Sequence, residues 1–341
     1  MQDRLFIISN ESIFHSQKSF FCDNLDMKST PEALNKKFNI SIIARKSKKI
    51  RSHRINLKNI NIYNNIISFL FSIFRSLKDN NSKYLIVSIS PYTFIACIIL
   101  ASLRRKPIVF LRSDGYEEYR SILGFIGPGI YHIMFSIVSK TSRLIGCGES
   151  VLKGKKGHVV SPSQLTEKWF LNNKIIDSKN FKLLYVGRIR IEKGIFSLME
   201  MMKQIEENIT LSIVGKEKFS LKKNEQKNIN IYDIETSEEK LIYYYDNHHI
   251  FVLPSYTEAY PMVVLESLAR LRPVIIFDEI KHIIGNKKGI FISKRTPEDF
   301  SEKIRYIKEN YKTIQEEMKK NKLPLKQDFL KQLENSILNS T

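Results

Sequence analysis

Short runs of β-branched and aliphatic residues alternate with helical patterns through almost the whole chain, and this alternation constrains the fold more than any other feature. In the first half, strands are predicted at 4–9, 39–45, 84–90, 107–113 and 143–147. Segments with helical spacing lie between them, such as 64–77 and 131–140. Strands and helices that alternate in this way form parallel sheets covered by helices. The sequence therefore predicts an α/β fold built from Rossmann-like units.

The alternation is interrupted once, by the polar interval 161–180, and then restarts. Strands are predicted after it at 181–187, 209–215, 228–233, 249–255 and 272–278. The length of 341 residues fits two domains of about 150 residues each. We expect an N-terminal domain at 1–165 and a C-terminal domain at 166–324. The helical end of the chain is broken at Pro324, and we expect residues 325–341 to pack back on the first domain.

The charge is distributed unevenly along the chain. The formal net charge is +20 at pH 7; residues 1–176 carry 27 Lys and Arg against 11 Asp and Glu, and the remainder carries 28 against 24. Within the basic half, the run 44–58 contains seven cations and no acid. Such a run attracts nucleic acid, anionic lipid headgroups or phosphorylated substrates. A solvated basic surface without a ligand is the alternative.

The sequence favours a cytoplasmic chain that meets membranes only at their surface. The start of the chain lacks the pattern of a signal peptide, and the most apolar stretch, 91–103, is shorter than the roughly 20 residues that span a bilayer. We therefore expect a protein peripheral to the inner face of the cytoplasmic membrane, with the run 44–58 against anionic lipid. The apolar helix 64–77 would join that contact or, alternatively, belong to the core. Three scattered cysteines fit a reducing compartment: Cys22, Cys97 and Cys147.

A basic loop follows the first strand of the second half. Gly187 ends this strand and allows a tight turn, and Arg188, Arg190 and Lys193 lie before the next helix. Ligands of open α/β sheets bind at the carboxyl ends of strands, where a helix N-terminus also attracts anions. The loop therefore suits a diphosphate, although basic loop residues are in many proteins only solvated.

A second loop, PSYTEAYPMVVLE at 254–266, carries two glutamates eight positions apart. Pro261 suits the first position of a helix, where its missing N–H has no consequence. Glu258 then lies in the loop at the strand's carboxyl end, and Glu266 lies just over one turn inside the helix, facing the same space. Carboxylates bind sugar hydroxyls by charge-assisted hydrogen bonds; the alternative is a helix cap at Glu258 and a surface residue at Glu266. Backbone N–H groups without a partner inside the helix point into the same space: those of Ala259, Tyr260 and Met262.

In order, spacing and context these segments resemble the retaining glycosyltransferases of family 4, also called the group 1 type, which have the GT-B fold. The matching pieces are GRIRIEKG at 187–194, SIVG at 212–215, and PSYTEAYPMVVLESLA at 254–269 with its Glu-x7-Glu pair. They cover most of residues 181–292, whereas the first half matches in architecture alone. The resemblance implies two Rossmann-like domains that face each other across a cleft, the first for the acceptor and the second for the donor.

The resemblance also implies a role for each matching residue. Arg188 and Lys193, beside Gly187, would bind the donor diphosphate. Glu258 would contact the donor sugar, and Glu266 would bind the ribose hydroxyls. The segment between the glutamates would lie close to the sugar and its phosphate: Ala259, Tyr260, Pro261 and Met262. Transfer would retain configuration by same-face attack, through positioning and electrostatic stabilisation, without a metal or another cofactor.

The chain departs from the family pattern in three places. The stretch SNESIFHSQKS at 9–19 stands where many members have a glycine-rich loop. Leu271 replaces a glycine that commonly ends the helix after the second glutamate. Where members often carry an imidazole or carboxylate near the acceptor, this chain has RSDG at 112–115, and Asp114 is our catalytic candidate there. A turn-forming Asp-Gly explains Asp114 almost equally well.

We therefore expect a glycosyltransferase that moves a sugar from a nucleotide-diphosphate sugar to a lipid-linked or saccharide acceptor, in cell-surface polysaccharide or lipopolysaccharide synthesis. A sugar-nucleotide epimerase or an inverting transferase of the same fold is the alternative, and the Glu-x7-Glu pair argues against it. A nucleic-acid-binding protein is a remote alternative, because the aromatic residues lie in apolar periodic runs and are not interleaved with cations. No nucleic-acid partner is expected.

Overall fold

The computed structural model describes residues 2–173, 181–205, 208–216, 227–258 and 260–339. The chain divides into two compact units between Pro162 and Ser163, and the residues from Lys326 onward belong to the first unit. Each unit has its own sheet. Part of the predicted interruption, 174–180, lies outside the described residues.

The strands of the two sheets follow one topology. In chain order they are β1 Arg4–Ser16, β2 Ser19–Cys22, β3 Asn39–Lys46, β4 His53–Ile55, β5 Ile60–Tyr63, β6 Lys83–Val87, β7 Ile108–Leu111, β8 Arg143–Gly146, β9 Gly157–Val159, β10 Lys182–Val186, β11 Thr210–Lys216, β12 Ile229–Asp233, β13 Ile250–Leu253, β14 Val274–Phe277 and β15 Ile290–Ser293. The parallel order is β5-β3-β1-β6-β7-β8-β9 in unit 1 and β12-β11-β10-β13-β14-β15 in unit 2. Both are the order of a Rossmann-like sheet, so the predicted fold class is confirmed.

The helices connect these strands. In chain order they are α1 Leu25–Leu34, α2 Ile66–Ser76, α3 Pro91–Ser102, α4 Gly115–Leu123, α5 Gly127–Thr141, α6 Glu149–Leu152, α7 Ile195–Met202, α8 Glu238–Asp246, α9 Met262–Ala269, α10 Pro297–Glu309, α11 Tyr311–Met318 and α12 Lys326–Leu338. In unit 1, α1 lies in the connection from β1 to β3, toward one end of the sheet. The helices α2, α3 and α5 precede β6, β7 and β8, which follow one another toward the other end. Because such crossovers are right-handed, α1 lies on one face, where it packs with α12, and α2, α3 and α5 lie side by side on the opposite face.

The stretch after the first predicted strand is a β-ribbon and not a loop. β1 continues to Ser16, turns through Gln17 and Lys18, and returns as β2. Both turn residues have positive φ, as a two-residue hairpin loop requires. β2 then pairs with β4, inside the basic run 44–58. The predicted strand boundary at residue 9 was wrong because the polar residues of this ribbon hide its alternation.

The sequence analysis did not consider a longer apolar segment than 91–103. Residues 115–141 are long and apolar enough to cross a membrane by length and composition. In the structure the chain reverses at 124–126, and α4 packs antiparallel against α5. The Tyr116 hydroxyl lies 2.9 Å from Nδ1 of His132, and a Cβ on Gly127 would lie 2.0 Å from the carbonyl oxygen of Tyr119. The segment is therefore a tightly packed helical hairpin.

Candidate functional site

Two glycines determine how closely the loops at the carboxyl edge of the unit 2 sheet approach one another. A Cβ on Gly215, at the end of β11, would lie 1.8 Å from the carbonyl oxygen of Gly187, at the end of β10. Gly194 has a φ of +64°, and a Cβ there would lie 1.9 Å from the carbonyl oxygen of Pro254. Any side chain at Gly194 or Gly215 would push the neighbouring loop away. The loop after β10 is therefore held against the loop after β13.

A backbone hydrogen bond and an ion pair join these two loops. The Tyr256 N–H donates to the carbonyl oxygen of Glu192 at 3.0 Å. The Lys193 ammonium lies 2.6 Å from Oε1 of Glu258, and the Ser255 hydroxyl donates to the same oxygen at 2.7 Å. Within the described ranges no hydrogen bond reaches Oε2 of Glu258. That oxygen can accept a hydrogen bond from a ligand.

The predicted cation Arg188 belongs to the same edge. Its side chain is exposed, and its carbonyl oxygen accepts a hydrogen bond from the Tyr185 hydroxyl at 2.9 Å. The bond fixes the backbone at the start of the loop while leaving the guanidinium at the surface. Arg188 and Lys193 therefore bracket a loop whose backbone is fixed at both ends.

The helix that carries Glu266 begins without a side-chain cap among the described residues. Pro261 is the N-cap of α9 and Met262 its first residue, one position later than the sequence predicts. The first internal bond runs from the Val264 N–H to the Pro261 carbonyl oxygen at 3.2 Å. Tyr260 and Met262 are half-buried and pack against the core. Ala259, another predicted site residue, lies outside the described residues.

Glu266 sits one turn into α9 and is half-buried. The Tyr245 hydroxyl donates to its Oε2 at 3.0 Å and to the Val263 carbonyl oxygen at 3.2 Å. Desolvation raises the pKa of Glu266 to about 7. A ligand that donates hydrogen bonds to this carboxyl group would stabilise its charged form and lower its pKa again.

A buried ion-pair network holds the far end of α9. The guanidinium of Arg270 makes two bonds of 2.8 Å to Asp246, and the Arg270 and Arg272 side chains are both only 1% exposed. Arg270 also donates to the carbonyl oxygens of Trp169 and Leu171. Next to it, Leu271 has a φ of +54°. The left-handed conformation that a glycine would adopt easily is therefore present although the side chain is leucine.

Two further residues contact the site, and sequence reasoning missed both. The Arg295 guanidinium lies between the rings of Tyr256 and Phe277, 4.2 Å and 4.4 Å from their centroids, and its Nε donates to Glu279 at 2.9 Å. His282 Nε2 lies 2.7 Å from the carbonyl oxygen of Glu258. The motif offers no signal for either, because they follow β14 and β15, far from it in sequence. Both fix the loop that carries Glu258.

Asp114 belongs to unit 1, whereas the other predicted site residues belong to unit 2. It is the N-cap of α4 and accepts the Tyr116 N–H at 3.0 Å. Its carboxylate also forms an ion pair with Lys153. These contacts favour the structural alternative, and a catalytic role for Asp114 stays a prediction. Among the residues that the structure describes, no group of three or more His, Cys, Asp or Glu is placed to hold a metal ion.

Comparison with known proteins identifies the part of the chain that contains the candidate site. Residues 167–323 match the family "Glycosyl transferases group 1". The capsular polysaccharide biosynthesis glycosyltransferase CapM of Staphylococcus aureus is 29% identical over 157 residues, covering 40% of this chain and 41% of CapM. The chain spans less than half the length of the curated relatives it matches.

Solved structures match almost the full length of the chain. WaaG, a glycosyltransferase involved in lipopolysaccharide biosynthesis, is 13% identical with a TM-score of 0.65, covering 97% of this chain and 99% of WaaG. Anabaena HepE, solved with UDP-glucose, is 10% identical with a TM-score of 0.67, covering 98% of both chains. At these identities the likeness shows the fold alone, and the expected GT-B fold is confirmed.

Proposed function

We propose that this chain is a glycosyltransferase whose unit 2 binds a nucleotide-diphosphate sugar and whose product keeps the configuration of the donor sugar. The observation that carries this proposal is the Lys193–Glu258 ion pair beside the open end of α9, with Glu266 one turn further along. A cation and a carboxylate meet at a strand edge, near the start of a helix that no described side chain caps, where phosphate and sugar hydroxyls could bind together. The group 1 family match over residues 167–323 supports the same reading.

Each side chain then has a physical task. Arg188 and Lys193 neutralise the diphosphate, whose charge grows as the bond to the sugar breaks. Glu258 accepts a sugar hydroxyl on Oε2, and the N–H groups at the start of α9 bind phosphate oxygens. Glu266 accepts the ribose hydroxyls, held in place by Tyr245. Catalysis follows from this prior placement of charge, because no group has to reorient while the reaction proceeds.

Retention follows from attack on the same face of the sugar. The acceptor hydroxyl forms the new bond to the anomeric carbon, the bond to the diphosphate breaks, and the hydroxyl proton passes to the departing phosphate oxygen. This route needs neither a second nucleophilic carboxylate nor a metal ion, and metal-independent transfer is part of the proposal. Uridine is the first base to test, since HepE was solved with UDP-glucose.

The acceptor in this proposal is lipid-linked or a saccharide, and the setting is polysaccharide or lipopolysaccharide synthesis at the cytoplasmic face of the membrane. Capsular polysaccharide synthesis by the relative CapM supports the pathway class. The run 44–58 supports contact with anionic lipid, because most of its cations are exposed and Arg51 alone forms a described ion pair, with Asp23.

The test is calorimetric binding of nucleoside diphosphates and their sugars. We expect one nucleotide to bind the wild type, and Glu266→Ala and Arg188→Ala to weaken it about tenfold or more. Matched controls on exposed sites of the same unit, Glu200→Ala and Arg305→Ala, should bind as the wild type does. If the folded wild-type chain binds no nucleotide, the proposal is refuted.

Retention and metal independence need separate measurements. Nuclear magnetic resonance of the first product formed should show the donor's anomeric configuration, and an inverted product would refute the retaining mechanism. Turnover should persist in excess EDTA. Loss of turnover that Mg²⁺ or Mn²⁺ restores would refute the metal-free part while leaving donor binding intact.

A further inference from the structure

The exposed apolar side chains of unit 1 are concentrated on one face of its sheet. The face formed by α2, α3 and α5, with the turn 122–126, carries most of them: Ile67, Phe71, Phe74, Ile98, Ile122, Leu123, Phe125, Ile126, Ile130, Ile133 and Ile137. The helices of the opposite face, α1 and α12, expose only Leu25 and Leu338 among their described large apolar residues. A soluble monomer rarely exposes an apolar surface of this extent without a partner for it.

The helix α5 is apolar on its buried side and on an exposed side, and a polar stripe of His132, Ser136, Ser139 and Lys140 runs along the rest of it. One side is buried against the sheet and consists of Tyr131, Met134, Phe135 and Val138. The other side is exposed and carries Ile130, Ile133 and Ile137, which recur at helical spacing. Only 28% of the most apolar 18-residue stretch within 115–141 is buried, whereas the core helix of a soluble protein is mostly buried. Packing inside unit 1 therefore explains one side of α5 and leaves the other without a partner.

The turn 122–126 presents the most exposed apolar group of this face. Phe125 is 94% exposed. Gly115 follows the carboxyl end of β7 and lies against Tyr131, so the first turn of α5 and the turn before it extend beyond that edge of the sheet. The edge is also where β3 leads into the basic run 44–58. The turn is rigidly held, since the rings of Tyr116 and Tyr131 pack 4.9 Å apart at the base of the hairpin.

The charge around this face selects its occupant. The helices α2, α3 and α5 contain no Asp or Glu. Cations lie in or just beyond the last turn of each helix: Arg75, Lys78, Arg104, Arg105, Lys106 and Lys140. A second copy of this basic chain would bring like charges together, which weakens association. An anionic lipid surface complements both the apolar side chains of this face and these cations, which lie together where the three helices end, at the edge of the sheet opposite the turn 122–126.

We propose that the α2–α3–α5 face docks on an anionic membrane surface, with the turn 122–126 inserted among the lipid headgroups. The contact is distinct from the run 44–58, which would add attraction without insertion. Docking would give unit 1 a fixed orientation toward a lipid-linked acceptor, and this part of the inference rests on the proposed function. Its test uses vesicles alone, so it can fail while donor binding succeeds, and the reverse.

The experiment is co-sedimentation of the full chain with vesicles of phosphatidylcholine, with and without 30% phosphatidylglycerol (roughly the charge density that polybasic segments respond to). We expect binding to the anionic vesicles and its loss in high salt. Phe125→Ser with Ile126→Ser should weaken binding at least about tenfold, because two apolar side chains no longer leave water. Tyr306→Ser, an exposed aromatic on α10 of unit 2, is the matched control and should bind as the wild type does.

Insertion has its own readout. The native cysteines are buried, so Phe125→Cys and Tyr306→Cys can each be labelled selectively with a polarity-sensitive dye. We expect a blue shift at position 125 with anionic vesicles and none at position 306. Unchanged binding by the Phe125→Ser, Ile126→Ser variant, or no blue shift at 125, would overturn the proposal. So would a wild-type dimer in solution that this variant converts to a monomer, because the face would then be an interface between copies.

Discussion

The two units share one strand order and use it to present different surfaces. At the carboxyl edge of unit 2, Gly194 meets Pro254 and Lys193 meets Glu258, so the loops close around polar groups. At the same edge of unit 1 the chain extends outward as a β-ribbon and a helical hairpin that ends in exposed Phe125. The sheet therefore supplies only a framework, and the loops and outer helix faces decide whether a unit is suited to a polar ligand or to an apolar surface.

The largest difference expected between the units concerns their ion pairs. Asp246→Ala would leave Arg270 and Arg272 buried without their carboxylate, and we expect a loss of about 3–5 kcal/mol in the free energy of unfolding of unit 2. Asp23→Ala removes the half-buried partner of Arg51 in unit 1, and we expect a loss of about 1 kcal/mol or less. Urea unfolding followed by a probe in each unit measures both. Equal losses would contradict the comparison.

The second prediction separates the functions of the units. Glu258→Gln keeps the shape of the side chain and removes the charge opposite Lys193, so transfer should fall about a hundredfold or more while vesicle binding stays constant. The Phe125→Ser, Ile126→Ser variant should show the reverse, with weaker vesicle binding and an unchanged rate on a soluble acceptor. Transfer assays and co-sedimentation on both variants test this. A variant that loses both properties together would break the division.

The third prediction concerns pH. Glu266 has its pKa raised to about 7, so its carboxylate, which we expect ribose to require, is about nine-tenths formed at pH 8 and about one-tenth at pH 6. Nucleotide affinity should therefore fall about tenfold between pH 8 and pH 6. Glu266→Gln should bind weakly with no such dependence. Calorimetry across this pH range measures the affinity. A wild-type affinity that does not change with pH would mean that Glu266 does not bind the ribose.

The same raised pKa has an effect of known sign on stability. The folded state binds the Glu266 proton more tightly than the unfolded state does, so this residue's contribution to stability is present below its ordinary pKa near 4.5. That contribution is lost as the pH rises through about 7. Glu266→Gln should remove this decline, which urea unfolding at several pH values would show.

The smallest effect is expected at Leu271, whose φ of +54° disfavours any side chain. Leu271→Ala and Leu271→Gly lose the same contacts with the core, but glycine also relieves the backbone strain. We expect the glycine variant to be about 1 kcal/mol more stable than the alanine variant, measured by thermal unfolding. Equal stabilities would mean that the backbone relaxes without cost.

Sequence reasoning predicted the parts of the molecule that repeat a simple pattern. The strands near 39–45, 143–147 and 181–187 were found because continuous β-branched runs mark buried parallel strands. The site residues were located through the spacing of Glu258 and Glu266 and the family resemblance, and their roles stay predictions. The hairpin at 115–141 was missed although its reversal carries a turn signal, GFIGPG at 124–129.

Other parts leave no local signal. Arg270 looks like a surface cation in ARLRP, and its burial depends on Asp246, whose side chain comes from another helix. Arg295 meets Tyr256 and Phe277 only after three strands have been aligned side by side. Such contacts arise from tertiary packing, which a pattern read along one chain does not contain.

The pairing of Lys193 with Glu258 has a consequence for selectivity. A small inorganic anion that approaches this pair finds a cation whose charge is already balanced, so it gains little by binding. In the proposed complex a sugar diphosphate would offer phosphate oxygens to Lys193 and a hydroxyl to Oε2 of Glu258 at the same time. If unit 2 binds its donor as we propose, we expect this pair to favour phosphate joined to a sugar over inorganic phosphate.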